Sequence, residues 1–188
     1  MATTSEVIIS GFGGQGTLFA GQILAYTGMD AGKHVTWIPS YGPEMRGGKA
    51  RCTVVISDEE IGSPIVRRPT SAIVMNIPSM EAYEPAVKPG GVLIVNSSLI
   101  DLTSQREDIT VIYVPATEMA TEMGNVRVAN MILLGAWAAA TGVLAPEQLG
   151  QALADHLPAG RQKLVPINQE ALQRGVEVAR RQLEGVGV

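Results

Sequence analysis

Apolar residues along this chain fall into two kinds of stretch. Mainly apolar runs, Val7-Ile8-Ile9 and residues 35–38, 52–56, 72–75, 92–95 and 111–114, are each closed by turn residues. Such short runs with little polar alternation predict strands buried on both faces, as in a parallel sheet. Between them the apolar positions recur at helical spacing. The predicted order is a strand, a helix over 14–31, a strand over 34–38, a long loop over 40–51, and a hairpin of 52–57 with 61–66 about Asp58-Glu59-Glu60. A strand over 71–76 and a short helix over 78–87 follow, then the turn Lys88-Pro89-Gly90-Gly91 and a strand over 92–96. The last strand spans 110–115. Helical turns over 116–123 come next, then helices over 126–141 (capped by Asn125), 146–156 and 166–183. The final helix carries the stripe Leu172, Val176, Ala179 and Leu183. Strands alternating with helices predict an α/β, Rossmann-like, three-layer doubly wound fold. Its sheet is mostly parallel, with an antiparallel hairpin addition and C-terminal helices. The 188 residues are expected to form a single domain, with 146–188 as its C-terminal helical extension.

The first strand-to-helix junction is Gly11-Phe12-Gly13-Gly14-Gln15-Gly16. Its glycines at turn positions one, three and six have the dinucleotide-type spacing. The first is expected to make the tight turn, the second to let backbone approach a phosphate, and the third to allow close helix–strand packing. The helix behind the turn directs free N–H groups and its positive dipole end into the same space, which suits an anion. The alternative is that the glycines serve strand-to-helix packing alone. A nicotinamide site also needs an acid, about 20 residues on, for the ribose hydroxyls. The second strand, His34-Val35-Thr36-Trp37-Ile38, has none, and Asp30 lies too early. No arginine stands in that strand for a 2′-phosphate. This argues against a nicotinamide dehydrogenase. Gln15-Gly16-Thr17 also lacks the Walker ending, and neither a nucleophile elbow nor a His-Asp-Ser set appears. No residue is assigned as catalytic.

The 40–51 loop, Ser40-Tyr41-Gly42-Pro43-Glu44-Met45-Arg46-Gly47-Gly48-Lys49-Ala50-Arg51, is long for a compact domain, and such loops are usually functional. If the first two strands run parallel, the glycine turn and this loop leave the same sheet edge and face one crevice. Arg46 and Lys49 can neutralise phosphate or carboxylate there, Arg46 in bidentate fashion. Asn76 and Asn96 end strands beside that crevice, where an asparagine either meets ligand or caps a turn.

Composition narrows the partners. A net charge of −4 with no long basic run argues against nucleic acid, and 4% aromatic residues supply few bases with a stacking platform. The one cysteine, Cys52, cannot form an internal disulfide or by itself hold an iron–sulfur cluster, and His34 and His156 lack metal-ligand spacing. The expectation is a cytoplasmic protein with no metal of its own. Met1 to Glu6 is short and polar, unlike a signal peptide. Residues 128–145 carry no charge, but their Ala, Gly and Thr content with Asn130 inside predicts a buried helix rather than a membrane span.

Val7-Ile8-Ile9-Ser10-Gly11-Phe12-Gly13-Gly14-Gln15-Gly16 and Ser40-Tyr41-Gly42-Pro43-Glu44-Met45-Arg46-Gly47-Gly48 together resemble the gamma subunit of 2-oxoacid:ferredoxin (acceptor) oxidoreductases. The resemblance extends through Ile61-Gly62-Ser63-Pro64 and Lys88-Pro89-Gly90-Gly91 to Asn125-Val126-Arg127-Val128-Ala129-Asn130-Met131, then fades. The second stretch is closer to the 2-oxoglutarate and 2-oxoisovalerate branches than to the pyruvate branch. The resemblance implies a complex that converts a 2-oxoacid, CoA and oxidised ferredoxin to acyl-CoA, CO2 and reduced ferredoxin. It implies alpha and beta subunits as partners, with a ferredoxin-like delta subunit where one is present. Thiamine diphosphate and the iron–sulfur clusters then sit in those partners, and ferredoxin is met only indirectly. The gamma chain is implied to contribute to CoA binding and assembly. Gly11, Gly13, Gly14, Gln15, Gly16, Ser40, Tyr41, Arg46, Gly47 and Gly48 are the expected contacts to that co-substrate. Self-association of the isolated chain is a further expectation. The alternatives are an independent nucleotide-binding oxidoreductase and a purely structural scaffold subunit.

Overall fold

The structure, a computed structural model, describes residues 3–41 and 49–185, with backbone only at Tyr41 and Lys49. In chain order its elements are β1 (Thr4–Phe12), α1 (Thr17–Asp30), β2 (His34–Tyr41), β3 (Lys49–Ser57), β4 (Ser71–Val74), α2 (Ile77–Tyr83), β5 (Val92–Asn96), β6 (Thr110–Val114), α3 (Ala116–Glu122), α4 (Ala129–Thr141), α5 (Pro146–His156) and α6 (Val165–Gly185). Short 3-10 turns stand at Val126–Val128 and Ala159–Leu164. The strands form one six-stranded sheet in the order β2-β3-β1-β4-β5-β6. β1, β4, β5 and β6 are parallel neighbours, while β3 is antiparallel to both β1 and β2.

The predicted α/β class holds, but its antiparallel part is built differently. The hairpin is β2–β3, and residues 61–66 form no strand. Ser63 and Pro64 break the apolar run there, and the Ser63 hydroxyl accepts from Ile65 N, a local turn bond. β3 inserts between β1 and β2, so β2 is not the sheet neighbour of β1. Two successive antiparallel steps nevertheless return β2 to the direction of β1. Phe12 pairs with Lys49 and Tyr41 with Ala50, so both strand ends do reach one edge, with β3 between them. Two strand spacings put them about 10 Å apart. The predicted 40–51 loop also shrinks, because β2 runs on to Tyr41 and β3 starts at Lys49. Pro39 is tolerated inside β2 because that strand is the sheet edge.

Both sheet faces are covered, which is why the strands read as continuous apolar runs. Val7, Ile9, Val54, Ile73 and Ile94 face α1, α4, α5 and α6 in one core. Ala72, Val74, Leu93 and Val95 face Met80 of α2 and Val87 in a second. Each fully buried Val, Leu, Ile or Met side chain among them contributes about 1.5–3 kcal/mol relative to exposure. α4 is apolar all round because it lies between the sheet and α6. Its Trp137 is fully buried and donates Nε1–H to Ser71 Oγ at 2.8 Å. No helix among the described residues is long and apolar enough to cross a membrane. The α-helical part begins at Ala129 rather than 126, because Asn125 caps the 3-10 turn, its Oδ1 accepting from Arg127 N at 3.2 Å. α4 and α6 approach backbone to backbone. A Cβ at Gly135 would stand 2.7 Å from the Leu172 carbonyl carbon, and one at Gly175 would stand 2.7 Å from that of Ile132.

Candidate functional site

α1 packs on one face of the sheet and α2 on the other, so the crevice between the carboxyl ends of β1 and β4 is the point where the winding reverses. Ligands of doubly wound sheets enter at such a point. A cavity of about 590 Å³ opens at the opposite edge, among the starts of β1, β4 and β5. It lies on the wrong edge for that rule. Its cations are already engaged, in the ion pairs Lys33–Asp58 and Lys88–Glu6.

The glycine turn caps the β1 side of the crevice, and its glycines work differently from the expectation. Gly14 (φ 96°) and Gly16 (φ 78°) take the left-handed conformation and so make the turn. Gly11 instead gives close packing, since a Cβ there would lie 2.9 Å from Met75 Cβ at the end of β4. Gly16 is also tightly packed, but against a helix rather than a strand. A Cβ on it would stand 3.0 Å from Asn130 Cγ of α4, and Asn130 Nδ2 donates to Gly16 O at 3.0 Å. Gly13 and Gly14 are exposed. The start of α1 has no side-chain cap and no acid in its first turn, which leaves its orphan N–H groups and positive end toward the edge.

Gln15 is held inside the crevice. Its Oε1 accepts from Phe12 N at 2.6 Å and its Nε2 donates to Met75 O at 3.3 Å, which ties the ends of β1 and β4 together. The Phe12 amide is therefore engaged with Gln15 and not free for an anion.

The remaining expected residues are divided rather than gathered. Two small pockets flank the turn. On the α2 side, about 190 Å³ is lined by Ser10, Ser40, Arg51, Ser79 and Tyr83 among others. Ser10 and Ser79 share a buried hydroxyl hydrogen bond of 2.9 Å, and Arg51 Nη1 donates to Tyr83 OH at 3.0 Å. On the α4 side, about 210 Å³ is lined by Gly14, Gln15, Asn96, Thr117 and Arg127, with Met75, Leu99, Val126 and Leu133. Ser40 thus belongs to one side, Gly14 and Gln15 to the other. Tyr41 ends β2, and Arg46, Gly47 and Gly48 lie outside the described residues.

The strand-end asparagines divide in the same way. Asn76 caps α2, its Oδ1 accepting from Ser79 N at 2.9 Å, the capping role that asparagine favours. Asn96 Nδ2 donates to Thr117 Oγ1 at 3.0 Å, and its buried Oδ1 has no partner among the described residues. Arg127 and Asn130 fall in the stretch that carries the resemblance, which gives neither of them a role. A polar residue inside the apolar run 128–145 was the signal that marked Asn130.

Cys52 sits in β3 beneath α1, fully buried, with Sγ donating to Thr17 O at 3.3 Å. Burial pushes its thiol up to about 12, with hydrogen bonds from Trp37 and Gly21 offsetting part of that rise. It is a packing residue and far from thiolate chemistry at neutral pH.

Fold and edge together define a doubly wound α/β domain with a glycine turn and an uncapped helix start at its winding reversal. The chain belongs to the pyruvate ferredoxin/flavodoxin oxidoreductase family, whose profile matches residues 6–178. It is 38% identical over 180 residues to ketoisovalerate oxidoreductase subunit VorA of Methanothermobacter marburgensis, which is 96% of this chain and 37% of that one. It is 35% identical over 178 residues to 2-oxoglutarate synthase subunit KorC of Methanocaldococcus jannaschii, covering 93% of this chain and 94% of that one. The keto/oxoacid ferredoxin oxidoreductase gamma subunit from Geobacter sulfurreducens PCA has the same fold. Its TM-score is 0.78 at 31% identity, over 94% of this chain and 99% of that one. The chain therefore spans little more than a third of the length of VorA.

Proposed function

We propose that this chain is the gamma subunit of a 2-oxoacid:ferredoxin oxidoreductase complex. The complex converts a 2-oxoacid, in the first instance 2-oxoglutarate, with CoA and oxidised ferredoxin to acyl-CoA, CO2 and reduced ferredoxin. Alpha and beta subunits carry thiamine diphosphate and the iron–sulfur clusters, and this chain contributes to CoA binding and to assembly. The observation that carries the CoA role is the uncapped start of α1 behind Gly14 and Gly16, at the edge where the winding reverses. Arg51 and Arg127 add positive charge on either side of it, neither with a carboxylate partner among the described residues. Arg46, Gly47 and Gly48 would complete the phosphate contacts from the β2–β3 connection. The fit is to phosphates carried on a larger molecule. The NAD-type acid is absent from the place where it would be needed, since the second strand, β2 (His34–Tyr41), carries no Asp or Glu.

The test is to purify the chain with whatever partners it holds in its own cell. The expected product is an assembly containing thiamine diphosphate and iron–sulfur clusters that turns over 2-oxoglutarate best among a panel of 2-oxoacids. Equilibrium dialysis with CoA on that assembly, with and without Arg46→Ala, reads the binding role. Recovery of the chain alone would refute the subunit reading, and an unchanged CoA affinity would remove Arg46 from the site.

A further inference from the structure

We infer that the cavity at the amino edge of the sheet, away from the crevice, is a second small-molecule site, and that it takes a short aliphatic dicarboxylate. Its volume, about 590 Å³, lies within the roughly 300–1,000 Å³ usual for such sites. The starts of β1, β4, β5 and β6, the end of β3 and the last turn of α4 enclose it. Its lining carries two ammonium groups, Lys33 and Lys88, against one carboxylate, Asp58. Glu6, the partner of Lys88, stands outside the lining.

Donors are in surplus on this lining. An ammonium has three N–H donors and no acceptor. Lys33 gives one to Asp58 and Lys88 gives one to Glu6, with no further acceptor among the described residues. The ion pairs therefore engage both cations without exhausting them. Asp58 is already occupied by the protein, accepting from Thr3 N at 2.9 Å and Thr3 Oγ1 at 2.6 Å as well as from Lys33. Ser71, buried in the lining, accepts from Trp137 Nε1, and an indole only donates, so the Ser71 proton also has no acceptor among the described residues. Such a lining calls for a ligand that brings acceptors and negative charge, and a carboxylate brings both. Lys33 comes from the turn after α1 and Lys88 from the turn before β5, so they meet a ligand at separate points, which suits an anion with two ends. Ile56, Val92 and Val143 complete the wall and suit the methylene chain between those ends. Both ion pairs are partly exposed, and pairs of that kind hold their partners weakly, so sharing an ammonium with a ligand costs the fold little.

The experiment titrates succinate into the full chain and into the purified assembly at low ionic strength, by calorimetry and by ligand-observed NMR. Acetate and 1,4-butanediol are the one-ended and the uncharged controls. Succinate is expected to bind both preparations, acetate about tenfold more weakly, and butanediol not at all. Lys33→Gln and Lys88→Gln are each expected to weaken succinate about tenfold. Asp58→Asn is expected to tighten it several-fold, because it frees Lys33 from its carboxylate, and Glu6→Gln to do the same through Lys88. The opposite signs distinguish a binding role from a loss of fold, which weakens binding in every variant. Succinate that fails to bind at millimolar concentration, acetate that binds as tightly as succinate, or weaker binding in folded Asp58→Asn and Glu6→Gln overturns the site. Binding to the free chain that the assembly lacks also overturns it, because a partner then covers the cavity. The CoA role is read at the other edge and stands or falls separately.

Discussion

Replacing Gly175 by alanine sets two effects of opposite sign against each other. Gly175 lies inside α6, where alanine is preferred over glycine by about 1 kcal/mol. A freely hydrated position would therefore be stabilised. At this crossing, however, the new methyl would stand 2.7 Å from the Ile132 carbonyl carbon and 2.9 Å from Ala136 N, with the Ile132 carbonyl oxygen nearer still. Ordinary carbon contacts are about 3.5–4.0 Å. The two helices must therefore separate by at least roughly 0.8 Å, and a gap of that size forfeits about a quarter to a half of the dispersion energy of the contacts it opens. The obstacle is backbone, so no rotamer change relieves it. Overpacking of a filled core costs about 1–3 kcal/mol, and here a helix rather than a side chain has to move, so about 3 kcal/mol is the appropriate end of that range. Set against the propensity gain, the net loss is about 2 kcal/mol. For a chain of this size that lowers Tm by about 4–8 °C. Gly150→Ala is the control. It too is interior to a helix, but its nearest neighbour, Gln169 Cγ, would be 3.7 Å away, an ordinary contact. That variant is expected to gain about 0.5–1 kcal/mol. Thermal melts followed by circular dichroism, with urea titrations to check that m is unchanged, read both variants. A Gly175→Ala melt at or above that of the wild type would refute the close crossing of α4 and α6.

Gly16→Ala meets both a left-handed backbone and Asn130 Cγ at 3.0 Å, and is expected to cost about 1–3 kcal/mol in a urea titration and to weaken CoA binding by the assembly. Cys52 is expected to stay unmodified by iodoacetamide at pH 8 and to react once urea unfolds the chain. Its folded pKa of about 12 lies above the ordinary thiol value of 9.0, so the unfolded state loses its proton first as pH rises. Stability linked to Cys52 is therefore complete below pH 9.0 and falls by up to about 1.4 kcal/mol per pH unit above it, as far as the folded pKa, a slope that Cys52→Ala should flatten. Gln182→Leu removes the side chain that covers the β6 edge, where Oε1 accepts from Tyr113 N at 3.0 Å and Nε2 donates to Tyr113 O at 2.6 Å. Hydrogen exchange at the Tyr113 amide should accelerate, with a loss of about 1–2 kcal/mol, and unchanged exchange would show that the edge is protected some other way.

What the sequence determined by itself was local. Continuous apolar runs specified strands buried on both faces, because a residue flanked by two helical layers has no solvent side on which to place polar groups. Helix stops and starts at Gly142 and Pro146 were legible because the left-handed cap and the fixed proline φ are properties of single residues. The glycine turn was visible for the same reason. Strand neighbours were not, because pairing partners are chosen by the whole sheet. β3 reads as the first arm of a hairpin with 61–66 until the structure inserts it between β1 and β2. The division of labour among Gly11, Gly14 and Gly16 was likewise decided by what each meets: Met75 for the first, solvent for the second, Asn130 for the third. Asn130 lies 114 residues from Gly16 along the chain, and its contact depends on α4 packing beside α1. Only the tertiary structure brought Asn96, Thr117 and Arg127 to one pocket with Gly14, since they come from a strand end, a short helix and a 3-10 turn that the fold alone gathers at one edge.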